Sequence, residues 1–160
     1  DITAARMDKI FTIDFSSLPL DLAIKTKTGN AADQKRIIAV FEDPYCGYCK
    51  KYRKMLEKID NLTIYTFLLP IISEKSSDLS KQIWCSENPA TAWTDFMLKN
   101  KEPLKTKKNC DFPKDELLTL GRKLGINATP TSYLISGRRI AGAVSKENLE
   151  SELSQISMND

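Results

Sequence analysis

The chain has 160 residues, of which 41% are hydrophobic and 28% are charged, and its net charge is +3. This length suits one compact domain that buries about two thirds of the surface of its unfolded chain. The charge is too small and too dispersed to indicate a nucleic acid or an anionic membrane as a partner. The sequence has no histidine, which excludes serine triads, Cys/His nucleophile pairs and histidine-containing zinc sites.

The first part of the chain predicts a short helix followed by strands. Residues Thr3 to Ile10 favour a helix that is too short to be stable alone. Phe11 to Phe15 and Leu22 to Thr28 alternate polar and apolar residues, as short strands do. Arg36 to Phe41 is almost continuously apolar, which predicts a central strand that is buried on both faces.

After Pro44 the apolar residues recur at the spacing of a helix, and they include Cys49. We therefore expect Cys49 to face the core. The basic residues of this segment are expected on the surface: Lys50, Lys51, Arg53, Lys54 and Lys58. Leu62 to Leu69 predicts a second buried strand, so residues 36–69 predict a βαβ unit with parallel strands.

The rest of the chain predicts three helices, a hairpin and a last helix. Asn88 is expected to cap the second of the three helices, and Gly125 to end the third. The predicted helices are Ser76–Ser86, Pro89–Asn100, Pro113–Leu124 and Lys146–Ile156, and the hairpin strands are Thr131–Ile135 and Arg139–Val144. A βαβ unit, a helical insertion and a ββα unit in this order are the connectivity of a thioredoxin-like fold, an α/β fold whose central mixed sheet is flanked by helices.

Two cysteines form a CxxC motif, Cys46-Gly47-Tyr48-Cys49, where the central strand gives way to the helix. We expect Cys46 to be exposed at the helix N-terminus, where unpaired backbone N–H groups and the helix dipole favour the thiolate. Cys49 lies one turn later on the apolar face, from where it can attack a mixed disulfide and release the substrate. The pattern indicates a redox centre in which Cys46 attacks and Cys49 resolves.

Two other interpretations of the cysteines remain open. All four could bind one structural zinc, although Cys85 and Cys110 are isolated instead of forming a second close pair. A zinc knuckle is also normally followed by a turn, whereas this motif precedes a long amphipathic helix. The CxxC could alternatively be an inert structural disulfide, which its expected exposure disfavours. We therefore expect no metal site.

Four separated motifs resemble the catalytic domain of the DsbC and DsbG disulfide isomerases. The motifs are Phe41 to Cys49 (FEDPYCGYC), Ile83-Trp84-Cys85, Asn109-Cys110-Asp111 and Leu124 to Thr131 (LGINATPT). The resemblance runs from about Asp14 to Gln155, and four motifs in order are more specific than one CxxC. It implies substrate contacts at Gly47, Tyr48, Thr129 and Pro130, with a cis bond at Thr129-Pro130. It also implies a structural disulfide between Cys85 and Cys110, and no cofactor.

The resemblance also implies a function. It indicates a periplasmic thiol-disulfide oxidoreductase that acts as an isomerase or reductase on misoxidised secreted proteins. Its electrons would come from a DsbD-like membrane donor, and no nucleic acid is expected as a partner. A thiol oxidase is the nearest alternative, because redox potential and partner, not cysteine spacing, separate the two. A peptide-binding chaperone and a zinc-binding module are alternatives from a different class.

The expected domain organisation follows from the same resemblance. Residues 1–13 are expected to be the remnant of a linker helix and lead-in, and residues 14–160 the catalytic domain. DsbC-like proteins carry an N-terminal dimerisation domain, so we expect this chain to be an excised catalytic domain or a naturally short relative. The full-length protein would be a homodimer. The 160-residue chain is expected to be a monomer that reduces disulfides but isomerises them poorly.

The chain differs from thioredoxin itself in one position that matters for chemistry. Thioredoxin has a buried acidic residue six positions before the first cysteine, and Val40 stands there in this sequence. DsbC-like proteins share this difference. It leaves open which group, if any, takes the proton from Cys49. Glu42 and Asp43 are near in sequence, and they are equally consistent with carboxylates solvated in a loop.

Overall fold

The computed structural model describes residues 12–104 and 110–158. Within these residues the centre is one five-stranded sheet. Its strands are β1 (Ile24–Thr28), β2 (Ile37–Glu42), β3 (Leu62–Leu68), β4 (Thr131–Leu134) and β5 (Arg139–Ala141). The α-helices are α1 (Gly47–Leu56), α2 (Glu74–Trp84), α3 (Pro89–Lys99), α4 (Lys114–Lys123) and α5 (Lys146–Met158).

The sheet is mixed, with strand order β1-β3-β2-β4-β5. β2 and β3 are parallel, with Val40 opposite Thr66, and the other neighbouring pairs are antiparallel. β2 is buried from Ile38 to Glu42, as the continuous apolar run predicts. Because the carboxyl ends of parallel strands meet at the same edge of a sheet, the loops that follow β2 and β3 lie side by side.

The two faces of β2 pack against different helices, because successive side chains of a strand point to opposite faces. On one face Ile38 and Val40 join a core that includes residues of α1 and α5: Tyr52, Leu56, Leu149 and Leu153. On the other face Ala39 and Phe41 belong to a second core cluster. This cluster includes Phe67 of β3, Leu117 of α4 and Tyr133 of β4. Helices therefore cover both faces of the sheet, and the predicted thioredoxin-like fold is confirmed.

Local signals in the sequence place several helix ends correctly. At the start of α3 the backbone N–H of Thr91 donates to the Asn88 side chain at 3.1 Å, which is the predicted cap. Gly125 follows α4 with a φ of 66°, a left-handed conformation that glycine adopts without steric cost. The Asn148 N–H donates to the Ser145 hydroxyl at the start of α5, at 3.2 Å.

The predicted strand over Phe11 to Phe15 is wrong for the part that the structure describes. Residues 12–14 form no strand, and Phe15–Ser17 is a 3-10 turn. The cause is local, since the Asp14 carboxylate accepts hydrogen bonds from the backbone N–H and the hydroxyl of Ser16, at 3.0 and 2.7 Å. These bonds offer the backbone an alternative to strand pairing.

Other boundaries of the N-terminal part shift or lie outside the described residues. A second 3-10 turn covers Leu20–Leu22, so the strand predicted from Leu22 begins at Ile24. The helix predicted over Thr3 to Ile10 lies outside the described residues, as does Phe11. Among the helices of residues 12–104 and 110–158, none combines the length and apolar character that a bilayer span requires.

Candidate active site

Cys46 lies in the loop that follows β2 and is the N-cap residue of α1. Its Sγ accepts a hydrogen bond from the backbone N–H of Cys49 at 3.2 Å. This N–H belongs to the first turn of the helix, whose unpaired donors and positive dipole end stabilise negative charge. Cys46 therefore stands at the start of the helix, as the CxxC position predicts.

The surroundings of Cys46 correct the expectation of an exposed sulfur. Cys46 is only 6% exposed, and its thiol donates a hydrogen bond to the carbonyl oxygen of Thr129 at 3.4 Å. The Thr129-Pro130 peptide bond is cis. Gly47 is exposed, and Tyr48 is 69% exposed. The exposed Gly47-Tyr48 dipeptide and the Thr129 loop therefore both border Cys46.

Cys49 is the more deeply enclosed of the two free thiols and has no exposed surface. Burial raises the pKa of the Cys49 thiol, and the Glu42 charge and the hydrogen bond with Cys46 raise it further. The Asp43 backbone and the Thr129 side chain act in the opposite direction on this pKa. Cys49 is thus held as a neutral thiol, and it must lose a proton before it can attack a disulfide.

The two acidic residues at the end of β2 are both fully buried, so they are not solvated loop carboxylates. The Asp43 carboxylate accepts two hydrogen bonds of 2.9 Å, from the backbone N–H groups of Tyr45 and Ile72. Glu42 accepts one, from the Thr66 hydroxyl at 3.0 Å, and its other oxygen has no partner among the described residues. Burial raises the pKa of Glu42 to about 7, although Arg53 and Thr66 lower it.

Arg53 corrects the prediction of a fully solvated basic helix face, because its side chain is only 1% exposed. It follows Cys49 by one turn on the same face of α1. The guanidinium donates to the hydroxyls of Thr26 and Thr94, at 2.9 and 3.5 Å. It also pairs at 2.8 Å with Glu57. The spacing of Arg53 from Cys49 and from Glu57 was the available sequence signal for this burial.

The other two cysteines are bonded to each other and not to Cys46 or Cys49. Cys85 follows α2, and it forms a disulfide with Cys110, which precedes α4. Their Cα atoms are 5.8 Å apart. In the part of the chain that the structure describes, no group of three or more Cys, Asp or Glu side chains is arranged to hold a metal ion.

Comparisons with known proteins agree on the family. A family model described as a thioredoxin-like domain matches residues 20–157. A probable thiol:disulfide interchange protein DsbC of Bordetella pertussis is 44% identical over 153 residues, which are 96% of this chain and 53% of the relative. DsbC of Escherichia coli is 31% identical over 117 residues, 70% of this chain and 48% of the relative. The chain spans about half the length of these curated relatives.

Solved structures are similar over nearly the whole described fold. A disulfide interchange protein from Neisseria gonorrhoeae matches with a TM-score of 0.79 and 36% identity, over 86% of this chain and 97% of that chain. The catalytic domain of Proteus mirabilis ScsC has a TM-score of 0.66 over 96% of this chain and 95% of its own, but at 22% identity it supports the fold alone. The chain therefore belongs to the thioredoxin-like domain family and, within it, to the DsbC-type thiol:disulfide interchange proteins, a class of thiol-disulfide oxidoreductases.

Proposed function

We propose that this domain exchanges disulfides with substrate proteins, with Cys46 as the nucleophile and Cys49 as the resolving thiol. The Cys46 thiolate attacks a substrate disulfide, forms a mixed disulfide and releases one substrate thiolate. Cys49, once deprotonated, attacks the Cys46 sulfur, closes the Cys46–Cys49 disulfide and releases the second substrate thiolate. The substrate gains two electrons and the CxxC loses two. The main support is one sulfur at a helix N-terminus with a second, buried sulfur one turn later.

Glu42 is the group that we assign to accept the proton from Cys49. The charge of Glu42 raises the pKa of Cys49, so the two groups interact. Its own pKa of about 7 allows it to take up and release a proton near neutral pH. The carboxylate of Asp43 is committed to two backbone N–H groups, which favours Glu42 over Asp43 for this role.

The substrate segment next to the attacked cysteine is proposed to lie along Gly47, Tyr48, Thr129 and Pro130. The exposure of Tyr48 and the 3.4 Å approach of the Thr129 carbonyl to the Cys46 sulfur support this placement. An extended peptide would pair with the backbone at Thr129 as an added strand. Such pairing holds a chain without reading its sequence, which suits an enzyme with many substrates.

The biological setting is proposed from the names of the relatives and the resemblance. We propose a periplasmic protein that acts on misoxidised secreted proteins, is reduced by a DsbD-like membrane donor and is a homodimer at full length. Isomerisation requires that a misfolded substrate be held while attack is repeated. We propose that the 160-residue chain by itself is a monomer. Because a single domain holds a misfolded substrate weakly, it should reduce disulfides but isomerise them poorly. Sedimentation velocity and refolding of a scrambled multi-disulfide protein test this, and a stable dimer with full isomerase activity would contradict it.

Insulin reduction by single cysteine variants tests the proposed chemistry. Cys46→Ser should abolish reduction, whereas Cys49→Ser should accumulate a mixed disulfide on Cys46, visible as a mass increase that dithiothreitol removes. In the reduced wild-type protein, iodoacetamide at mildly acidic pH should label Cys46 before Cys49. Insulin reduction that survives Cys46→Ser, or stoichiometric zinc in the reduced protein, would rule out the proposed function.

A further inference from the structure

Polar side chains form a buried layer between the sheet and α1. Because alternate side chains of a strand share a face, Glu42 lies on the same face of the sheet as Val40. Two residues with hydroxyl groups lie opposite Val40, Thr66 of β3 and Ser132 of β4. Helix α1 covers this face, since the hydroxyls of Tyr52 and Ser132 are hydrogen bonded at 2.9 Å. The proposed proton acceptor is therefore one member of a polar layer beneath the helix of the nucleophile.

Arg53 brings a positive charge into this layer, and three contacts hold it in place. Its side chain is 1% exposed. The guanidinium donates to the Thr26 hydroxyl at 2.9 Å and to the Thr94 hydroxyl at 3.5 Å. The third contact is an ion pair of 2.8 Å with Glu57, whose side chain is 36% exposed. Anchors on β1, on α3 and at the end of α1 thus fix where the buried charge lies.

Arg53 and Glu42 interact through charge, without a hydrogen bond between these two described side chains. Burial raises the pKa of Glu42, and the Arg53 charge is the strongest of the effects that lower it. In the described part of the chain, Glu42 Oε1 and Arg53 Nε are both buried without a hydrogen-bond partner. A buried ion with incomplete hydrogen bonding depends on nearby opposite charge for its stability. Each group is therefore sensitive to the charge that the other carries.

The other ionisable groups around Glu42, within the residues that the structure describes, supply no positive charge to it. On α1, burial raises the pKa of the Cys49 thiol, and it raises the pKa of Tyr52 to about 12, so both side chains are uncharged near neutral pH. The ammonium groups of Lys50 and Lys99 are engaged with residues of α3 and its end. The strands contribute only hydroxyls to the layer. One buried guanidinium is therefore the cation that acts on this carboxylate.

We propose that Arg53 is a positioning residue whose charge is shared between the buried Glu42 and the surface Glu57. This sharing sets how readily Glu42 takes the proton from Cys49. The proposal rests on the proposed function, in which the proton moves from the Cys49 sulfur to a Glu42 oxygen and the thiolate then attacks the Cys46 sulfur. Because both carboxylates draw on one guanidinium, Glu57 weakens the hold of Arg53 on Glu42. An exposed carboxylate at the end of α1 is thereby linked to a proton transfer inside the protein.

Neutralising Arg53 and neutralising Glu57 should change the titration of Glu42 in opposite directions. Arg53→Met removes the cation but keeps an unbranched apolar stem, so the midpoint of the Glu42 titration should rise by about one to two pH units. Glu57→Gln removes the competing anion, so the same midpoint should fall by about half a unit. A role of Arg53 in packing alone predicts no such pair of opposite shifts.

Carbon-13 NMR of the Glu42 side-chain carboxyl measures this midpoint directly. The protein is used with the Cys46–Cys49 disulfide closed, so that neither thiol titrates. The rate of closing of that disulfide, measured separately from pH 5 to pH 9, should show shifts of the same sign. At pH 7 closing should be about tenfold slower in Arg53→Met, because far less Glu42 is then ionised.

A double variant shows whether Glu57 acts through Arg53. In an Arg53→Met background, Glu57→Gln should shift the Glu42 midpoint much less than it does in wild type. Arg53→Lys keeps the charge but not the guanidinium, and it should keep the midpoint closer to wild type than Arg53→Met does. The matched controls carry the same substitutions at exposed positions, and both should keep the wild-type midpoint: Arg122→Met on α4 and Glu147→Gln on α5.

An unchanged NMR midpoint in Glu57→Gln would overturn the sharing of the charge, and this surface variant decides the point even if Arg53→Met fails to fold. An equal shift from Glu57→Gln with and without Arg53, or an unchanged midpoint in a folded Arg53→Met, would overturn the role of Arg53. If the NMR midpoints shift as expected but the closing rates do not follow them, Glu42 is not the proton acceptor. That result would count against the proposed function and not against the charge sharing.

Discussion

Glu42 and Asp43 are adjacent carboxylates at the end of the same strand, and neither has any exposed surface. Asp43 turns toward the edge of the sheet, where two backbone N–H groups occupy its two oxygens. Glu42 receives one hydroxyl, from Thr66, and its other oxygen has no partner within the described residues. Two side chains with equal burial therefore differ in how fully their charge is compensated.

This difference decides what each carboxylate can do. A buried carboxylate that accepts hydrogen bonds from two backbone N–H groups has a structural role. In this protein Asp43 connects the loop after β2 with the loop after β3 in this way. When a buried carboxyl group with incomplete hydrogen bonding ionises, the lost hydration of its charge costs free energy, which raises its pKa. The pKa of Glu42 is accordingly raised to about 7 by burial. Incomplete compensation makes Glu42 sensitive to pH, and such groups are concentrated at functional sites.

The largest expected effect concerns stability against pH. The pKa of Glu42 is about 7 in the folded chain, compared with 4.5 for an unperturbed glutamate. Between these values the folded state keeps a proton that the unfolded state has released, so the free energy of unfolding falls as pH rises from about 4.5 to about 7. Glu42→Gln removes this loss. Relative to wild type, the variant should gain up to about 3 kcal/mol by pH 8 and nothing below pH 4.

Urea unfolding of both proteins at a series of pH values measures this difference. The m-values should agree, so that the change in midpoint reports stability alone. If the difference in unfolding free energy between Glu42→Gln and wild type does not vary with pH, Glu42 does not titrate as the comparison requires.

The architecture was predictable because its signals are local. The continuous apolar run of β2, the helical spacing after Pro44 and the caps at Asn88 and Gly125 each depend on a few neighbouring residues. The strand predicted before Leu18 failed for an equally local reason, since Asp14 captures the Ser16 N–H. A hydrogen bond from the Ser16 backbone to a single side chain outweighed a weak alternation of polar and apolar residues.

The interior of the active site was less predictable because its contacts are distant in sequence. Arg53 lies among surface lysines. Its spacing from Cys49 indicates the buried face of α1, but the hydroxyls to which it donates, on Thr26 and Thr94, are distant in sequence. Glu42 is buried, and the hydroxyl that donates to it belongs to Thr66, which is 24 residues away. Charge patterns within a helix do not contain this information. The place of the cysteines at the start of α1 could be predicted because a CxxC at a strand-to-helix junction is a local signal, whereas the contact of Cys46 with Thr129 spans 83 residues.

The next expected effect concerns the release of substrate. If Glu42 takes the proton from Cys49, Glu42→Gln should slow the closing of the Cys46–Cys49 disulfide about 100-fold at neutral pH, a size typical of general base catalysis. Stopped-flow fluorescence can follow this step, since Trp93 packs in the same core cluster as both cysteines. The initial attack, measured as mixed disulfide formation in a Cys49→Ser background, should slow far less. Equal slowing of both steps would remove the special role of Glu42.

The smallest expected effect comes from the hydroxyl that Glu42 does have. Thr66→Val keeps the shape of the side chain and removes the hydrogen bond that lowers the pKa of Glu42. Loss of a hydrogen bond to a charged group should raise this pKa by about one unit. The midpoint of the pH dependence of the closing rate of the Cys46–Cys49 disulfide should therefore move from about 7 to about 8.

Thr63→Val is the matched control, because Thr63 lies on the same strand but opposite Ile37, whereas Thr66 lies opposite Val40. The rate of closing of the Cys46–Cys49 disulfide, measured from pH 5 to pH 9, gives the midpoint for each variant. If both variants keep the wild-type midpoint, a group other than Glu42 controls the proton of Cys49.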